Sequence, residues 1–306
     1  PYSAGSCKQQ AQHWQPLYNR LKEGVLFKMI NVLALDDFLK MALNEDIGWG
    51  DVTTDSLIDA SQKSKGGLYA KETGIIAGIK VAGRVFSLLD KNVVFTACKS
   101  DGSAVKVGDK IAEVEGNTRA ILKGERVALN ILQRMSGIAT KTHHLCELVK
   151  GYPAKVADTR KTLPGFRMLD KYSVAVGGGI NHRMCLSDLV LIKDNHIAAV
   201  GSVSKAVELA RGKAPFSVKI EVEVGNMKEL EEAVGAKADI IMLDNMCCNA
   251  MKQAVQFVNH RALLEASGNI DEKNIAEVAA AGVDIISCGS LTHSVKALDI
   301  SLKFNK

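Results

Sequence analysis

"VKIEVEVG", residues 218–225, alternates without a break: Lys219, Glu221 and Glu223 fall on one side, and Ile220, Val222 and Val224 on the other. Side chains on a strand point to opposite faces with a period of two. At a wet surface such a strand would turn its charges to water. This one lies between two amphipathic helical stretches, 203–211 and 226–235, which need an apolar surface to cover. The apolar side of the strand therefore meets the helices, and the charges point inward. Charges held inside cost several kcal/mol unless they are paired or bind something.

Outward from this strand the same pattern repeats. Short apolar runs at 154–158, 189–193, 218–224, 239–243, 262–266 and 284–287 alternate with helical patterns at 203–211, 226–235, 249–258 and 271–281. Alternation of this kind builds βαβ units on a parallel sheet, as a barrel or an open doubly wound sheet. Each run begins apolar and ends polar. "AKVADTRK" (154–161) ends in Asp158, Arg160 and Lys161, and "LVLIKDNH" (189–196) in Lys193 and His196. "DIIMLDN" (239–245) ends in Asp244 and Asn245, and "LLEASGN" (263–269) carries Glu265, Ser267 and Gly268. "DIISCGS" (284–290) reaches Gly289. In α/β barrels the C-terminal strand ends form the active-site rim. In "LVLIKDNH" no turn residue separates strand from polar end; the expectation is that Lys193 points inward and Asp194 and Asn195 shape a loop, with His196 as a secondary contact.

The residue types are complementary. Arg160, Lys161, Arg183 and Lys193, with His182 and His196, form a cationic set suited to an anion with more than one acid group, because Arg forks grip carboxylates and phosphates bidentately. Glu223 and Asp244 offer hard oxygens that suit Mg²⁺ held jointly with substrate phosphates. "ASGN" (266–269) and "CGSLTHS" (288–294) place glycine turns before helix starts, where backbone N–H groups cradle phosphate. Together these describe a site for a phosphorylated sugar, a divalent cation and an organic polyacid.

The first half reads differently. Residues 33–46 predict a helix with Leu33, Leu35, Phe38, Leu39 and Leu43 on one face, and "EDIGWGDVTTD" (45–55) a turn-rich connection. Residues 66–118 break into short alternating runs between Gly and Asp, which predicts small antiparallel strands. Residues 119–150 return to a helix with Val127, Ile131, Leu132 and Met135 on one face. Residues 1–28 hold four glutamines and no sustained period. They are expected to be an extension, with Met29 as the natural start. This gives three segments: 1–28, 29–150 and 151–306, with a return of the chain end to the 29–150 domain allowed.

Bulk properties exclude several classes. Of the net charge of +5, three units sit in residues 1–28, so no polycationic nucleic-acid surface is expected. No apolar run approaches the roughly 18–20 residues of a membrane span, and no signal peptide opens the chain. The seven cysteines are scattered, with no Cys-x-x-Cys. They predict reduced thiols in a cytoplasm, with neither a disulfide framework nor a zinc site.

The motifs "GERVALNILQRMSGIAT" (124–140), "TRKTLPGFR" (159–167), "VGGGINHR" (176–183), "LIKDNH" (191–196), "IEVEV" (220–224), "LDN" (243–245), "EASG" (265–268) and "GSLTHS" (289–294) stand in the order found in quinolinate phosphoribosyltransferases. The chain resembles that family over roughly residues 30–303. The resemblance implies an N-terminal α/β open sandwich domain plus a C-terminal, TIM-like but incomplete, α/β barrel. It implies transfer of a phosphoribosyl group from 5-phosphoribosyl-1-pyrophosphate to quinolinate with decarboxylation, assisted by Mg²⁺ and no organic cofactor. A homodimer is implied, in which one subunit's N-terminal region closes the other's barrel and Arg126 reaches across to quinolinate. Arg160, Lys161, His182, Arg183 and Lys193 would line the quinolinate pocket, with His196 nearby. Glu223 and Asp244 would serve metal and ribose, and Ser267, Gly268, Gly289 and His293 the phosphate. Asn269 departs from the pattern, standing where the family has a second Gly after "SG". Rival readings are a Schiff-base aldolase using Lys193, a carrier domain built on the hairpin "DGSAVKVGDKIAEVEG" (101–116), and a phosphoribosyltransferase for another heteroaromatic acid.

Overall fold

The computed structural model describes residues 30–305, so the expected extension at 1–28 and the start at Met29 lie outside the described residues. The chain divides into two compact units.

The first unit opens with helix α1 (Val32–Ile47), whose Asn31 side chain accepts from the Leu33 N–H and which buries Leu35, Leu39 and Leu43. Helix α2 (Val52–Leu57) follows, capped by Asp51 accepting from the Thr54 N–H at 2.9 Å. The connection expected at 45–55 therefore contains a helix. Its signal is the Asp-x-x-Thr start, too short to show a period. Strands β1 (Lys63–Ala70), β2 (Gly74–Ile75), β3 (Val94–Ala97), β4 (Ala104–Val105) and β5 (Lys110–Asn117) are interrupted by helix α3 (Ile79–Leu89). That helix was absent from the strands expected at 66–118. Its apolar residues Ile79, Val81, Ala82, Val85 and Phe86 are so dense that neither period stands out. β1 pairs antiparallel with β5, Leu68 opposite Ala112, and β5 pairs with β3.

Helix α4 (Thr118–Leu148) is 31 residues long and runs through the boundary at which the first unit ends, His143. Helix α5 (Arg167–Val176) belongs to the first unit as well, because Phe166, Leu169 and Tyr172 join its hydrophobic core. The domains read as 29–150 and 151–306 are thus interleaved: Leu163–Gly178 and the residues from Ser294 onward fold with the first half.

The second unit contains strands β6 (Lys155–Ala157), β7 (Val190–Ile192), β8 (Ile220–Val224), β9 (Ile240–Asp244), β10 (Leu263–Ser267) and β11 (Ile285–Ser287). All pair in parallel, in the order β6-β11-β10-β9-β8-β7. The first strand lies beside the last, as in a barrel, while β6 and β7 are the two edges of the order. A single bridge, Ala157 to Ile180, extends the β6 edge. Helices α6 (Asp194–Val200), α7 (Val203–Lys213), α8 (Met227–Gly235), α9 (Cys248–Val258), α10 (Ile275–Ala280) and α11 (Ser290–His293) follow the strands. Ile220, Val222 and Val224 are buried, as the alternation predicts, against helices that bury Val203, Val207, Leu230 and Ala233. The helix expected over 271–281 begins only at Ile275, because a turn closes first: the Asp271 N–H donates to the Asn274 side chain at 2.9 Å.

The chain then returns to the first unit. β12 (Ile300–Phe304) pairs antiparallel with β1, Leu302 opposite Leu68, giving a four-stranded sheet β12-β1-β5-β3.

Candidate active site

The polar residues read from the sequence gather at the C-terminal ends of β6 to β11. Asp158 follows β6 and is fully buried. Its Oδ1 accepts the His182 backbone N–H at 2.9 Å, and its Oδ2 accepts from Asn181 Nδ2 at 2.5 Å. Ile180 is held to the same strand by its N–H donating to Val156 O at 2.8 Å. The motif "INHR" is therefore pinned residue by residue to the edge of the sheet.

Arg183 donates from one terminal nitrogen to Leu189 O at 2.9 Å. Burial lowers its guanidinium pKa from the usual arginine value, and the neighbouring Arg160 charge lowers it further, against the opposing pull of Glu221 and Asp188. Two guanidinium groups are thus close enough to repel. Arg160 Nε is buried without a hydrogen-bond partner. A dianion would relieve both conditions. Lys161 is exposed, and its backbone carbonyl accepts from Thr292 Oγ1 at 2.8 Å.

Lys193 forms an ion pair with Glu223. It is also the residue from which helix α6 starts, and His196 Nδ1 accepts its backbone N–H at 2.9 Å. This corrects the expected loop: Asp194 and Asn195 are the first turn of a helix. An aspartate there faces the positive end of the helix dipole. His196 is exposed and supports the turn. Lys193 is paired and half-exposed, unlike the desolvated amine of a Schiff-base site.

Glu221 is fully buried and Glu265 nearly so. They come from alternate strands, yet Glu221 Oε2 lies 3.2 Å and Glu265 Oε2 3.6 Å from the same atom, His182 Nε2. Inward side chains of alternate strands meet in layers inside a barrel. Burial, and then the Glu221 charge, push the Glu265 carboxyl above the ordinary carboxylate range, with His182 acting in the opposite direction. Sequence reasoning placed both glutamates on the strands but gave them no role. The signal was present: Glu221 shares the face of Glu223, one step deeper.

Asp244 ends β9 and accepts from Asn245 Nδ2 at 2.8 Å. Neither Asp244 nor Glu223 is closed off from solvent. Hard oxygens at the open rim fit a magnesium ion held by a few carboxylates together with substrate phosphates.

The two glycine turns read from the sequence lie at the ends of β10 and β11, the second directly before a helix and the first, which ends at Asn269, six residues before one. Gly268 adopts φ +96°, and a Cβ there would meet Asn245 Oδ1 at 2.3 Å. Gly289 allows close approach, since a Cβ would lie 2.9 Å from Lys161 Cδ and 3.2 Å from His293 Cδ2. Ser267 precedes the first turn, and an exposed His293 ends α11 beside the second. Asn269 sits at φ +50°. That left-handed conformation explains why the family uses glycine here and why asparagine can replace it. Its Nδ2 donates to Asn245 Oδ1 at 3.1 Å. Arg126 belongs to the first unit, exposed on α4.

Comparison with known proteins bears on this site. The C-terminal domain model of quinolinate phosphoribosyl transferase matches residues 138–303, and the N-terminal domain model residues 51–136. The chain is 44% identical over 273 residues to a protein of Bacillus subtilis named probable nicotinate-nucleotide pyrophosphorylase [carboxylating], covering 89% of this chain and 94% of that one. It is 42% identical over 292 residues to quinolinate phosphoribosyltransferase [decarboxylating] 2b, mitochondrial, of Nicotiana tabacum, covering 89% and 82%. The crystal structure of NadC from Streptococcus pyogenes superposes with a TM-score of 0.87 at 45% identity, covering 90% of this chain and 99% of the other. Both domain models match, over residues 51–136 and 138–303, and the relatives are 42–45% identical over most of their length: the chain belongs to the quinolinate phosphoribosyl transferase family.

Proposed function

We propose that this enzyme transfers the phosphoribosyl group of 5-phosphoribosyl-1-pyrophosphate to quinolinate and releases pyrophosphate and CO₂, leaving nicotinate mononucleotide. The observation that carries the reading is the cationic set at the strand ends: Arg160 with a buried, unpartnered Nε, Arg183 with its guanidinium held to Leu189 O, and Lys193 paired with Glu223. Such a set suits a compact diacid better than a monoacid.

In the reaction the pyridine nitrogen attacks ribose C1 as the bond from C1 to the pyrophosphate oxygen breaks. Positive charge develops on the sugar, which the Glu223 and Asp244 carboxylates offset. Those same two residues would hold magnesium, which supplies neutralisation of the departing pyrophosphate. Gly268 and Gly289 with Ser267 and His293 receive the phosphates. The bond from C2 to its carboxylate then breaks, leaving its electron pair beside the cationic ring nitrogen, and a proton takes the place of CO₂. The ring is its own electron sink, so the enzyme contributes orientation and charge and needs no covalent nucleophile. Lys193 holds the carboxylate that departs, while Arg160, Lys161 and Arg183 hold the ring in place.

The reading extends to a cytoplasmic homodimer with a shared site, Arg126 of one subunit serving the quinolinate pocket of the other. In support, Arg126 stands exposed on its helix, and no helix among the described residues is long and apolar enough to cross a membrane. Mixing inactive Arg126→Ala and Lys193→Ala chains would then restore activity through one intact site per mixed dimer; no recovery would refute sharing. The decisive assay is pyrophosphate release with quinolinate against nicotinate. Release with quinolinate alone is expected, and release with nicotinate alone would overturn the substrate.

A further inference from the structure

His182 has one ring nitrogen hydrogen-bonded and the other facing two carboxylates inside the protein. Nδ1 accepts the Arg183 backbone N–H at 2.7 Å. Nε2 faces Glu221 Oε2 at 3.2 Å and Glu265 Oε2 at 3.6 Å, charge contacts in which neither Glu221 oxygen takes a hydrogen bond. A ring nitrogen that accepts a hydrogen bond carries a lone pair and no proton. In the neutral ring, acceptance at Nδ1 therefore puts the proton on Nε2, toward the two carboxylates. His182 is only 10% exposed in its side chain, and Glu221 and Glu265 are 0% and 2%.

His182, Glu221 and Glu265 offer ligand atoms within 4.8 Å of one another, which invites a metal ion. The tautomer opposes that reading. An imidazole that binds a cation through Nε2 carries its proton on Nδ1 and donates it outward. Here the Arg183 amide already donates to Nδ1.

We propose that Glu221 and Glu265 are positioning residues that hold His182 in its Nε2–H tautomer, so that Nδ1 fixes the Arg183 backbone and His182 orders the anion pocket without touching the anion. This rests on reading Arg183 as a carboxylate-binding arm. Arg183 is then tied at both ends, by its amide to His182 and by one guanidinium nitrogen to Leu189 O. The donors left over are held in one place before the acid arrives, and an arm fixed in advance binds without further ordering. Loosening it weakens capture of the diacid and leaves the bond-making step nearly intact.

The test is long-range ¹H–¹⁵N spectroscopy of histidine-labelled enzyme, free and with saturating quinolinate, the His182 signals assigned with His182→Asn. One histidine should show a protonated Nε2 and a bare Nδ1 in both states. A switch to Nδ1–H, or double protonation on adding quinolinate, would make His182 a direct ligand and overturn the proposal. Loss of the Nε2 proton signal on adding diamagnetic Zn²⁺ alone would overturn it in favour of a metal site. Calorimetry on the unmodified enzyme separates the two levels of inference: no quinolinate binding would sink the substrate, while the free-state spectrum would still decide the tautomer. The Glu221→Gln/Glu265→Gln enzyme should show a quinolinate KM raised about tenfold with kcat within about twofold. A fall in kcat at unchanged KM would refute positioning. Should that double variant not fold, the spectra of the unmodified enzyme decide.

Discussion

Asp170 in the first unit and Glu221 in the second are both buried carboxylates, held in opposite ways. In the first unit Asp170 is fully buried and held by Arg134 in a fork, Nε to Oδ1 at 3.0 Å and a terminal nitrogen to Oδ2 at 2.9 Å, with the Leu163 N–H on the same Oδ2 at 3.3 Å. The guanidinium also stacks over Phe166, 5.2 Å from its centroid. In the second unit Glu221 is equally buried, but neither of its oxygens has a hydrogen-bond partner, and Oε2 lies 3.2 Å from a histidine nitrogen that Glu265 also faces. A closed ion pair ties elements of a scaffold together. An unclosed one keeps charge available at a site, at a cost in stability that the scaffold must supply.

Four measurements would break or sharpen this contrast. The largest effect is expected from Arg134→Ala, which strands the Asp170 carboxylate and should destabilise the first unit by about 3–5 kcal/mol in denaturant titration. Replacing both partners with apolar residues should recover much of that; equal loss in the double variant would show that the pair itself, and not the stranded charge, carries the stability. Lys193→Ala should lower kcat roughly 10²–10³-fold with the fold intact. Near-normal turnover would remove Lys193 from the chemistry.

Gly268→Ala places a Cβ against Asn245 at a left-handed φ and should cost about 1–3 kcal/mol, seen as a lower midpoint and weaker binding of the phosphorylated substrate. A neutral outcome would mean the turn is less constrained than its geometry. The smallest effect is a pH slope. The Glu265 carboxyl is raised from 4.5 to about 7 by burial and by Glu221. A raised acid keeps its proton in the folded state after the unfolded chain has lost it. Stability from this group is therefore complete below about 4.5 and falls as pH rises towards 7, by about 1–3 kcal/mol in all. Glu265→Gln should flatten that slope, and an unchanged slope would assign it elsewhere.

Particular residues show what was legible beforehand. The alternation in 218–224 gave the parallel strands and their inward charges, because period two is a property of the strand alone. Strand ends gave Lys193, Glu223 and Asp244. What escaped was non-local. That Asp194 opens a helix depends on His196 reaching back to the Lys193 amide, a contact over three residues with no apolar signal. That Glu221 meets Glu265 depends on how the sheet curls, which no window of sequence contains. The helix at 79–89 was hidden by apolar density, and the interleaving of the units by the assumption that neighbours in sequence fold together.

β12 supplies the outer strand of the first unit's sheet from the far side of the second unit's sequence. Leu302 lies opposite Leu68, so a strand near the end of the chain completes a sheet begun near its start. On the ribosome the second unit is fully made before the first can close. Until then β1 presents a bare edge, the surface on which chains stick to one another. A nascent chain of this enzyme thus carries the residues of its second unit complete while the sheet of the first is still open, and deletion of 300–304 would leave the β1 edge bare.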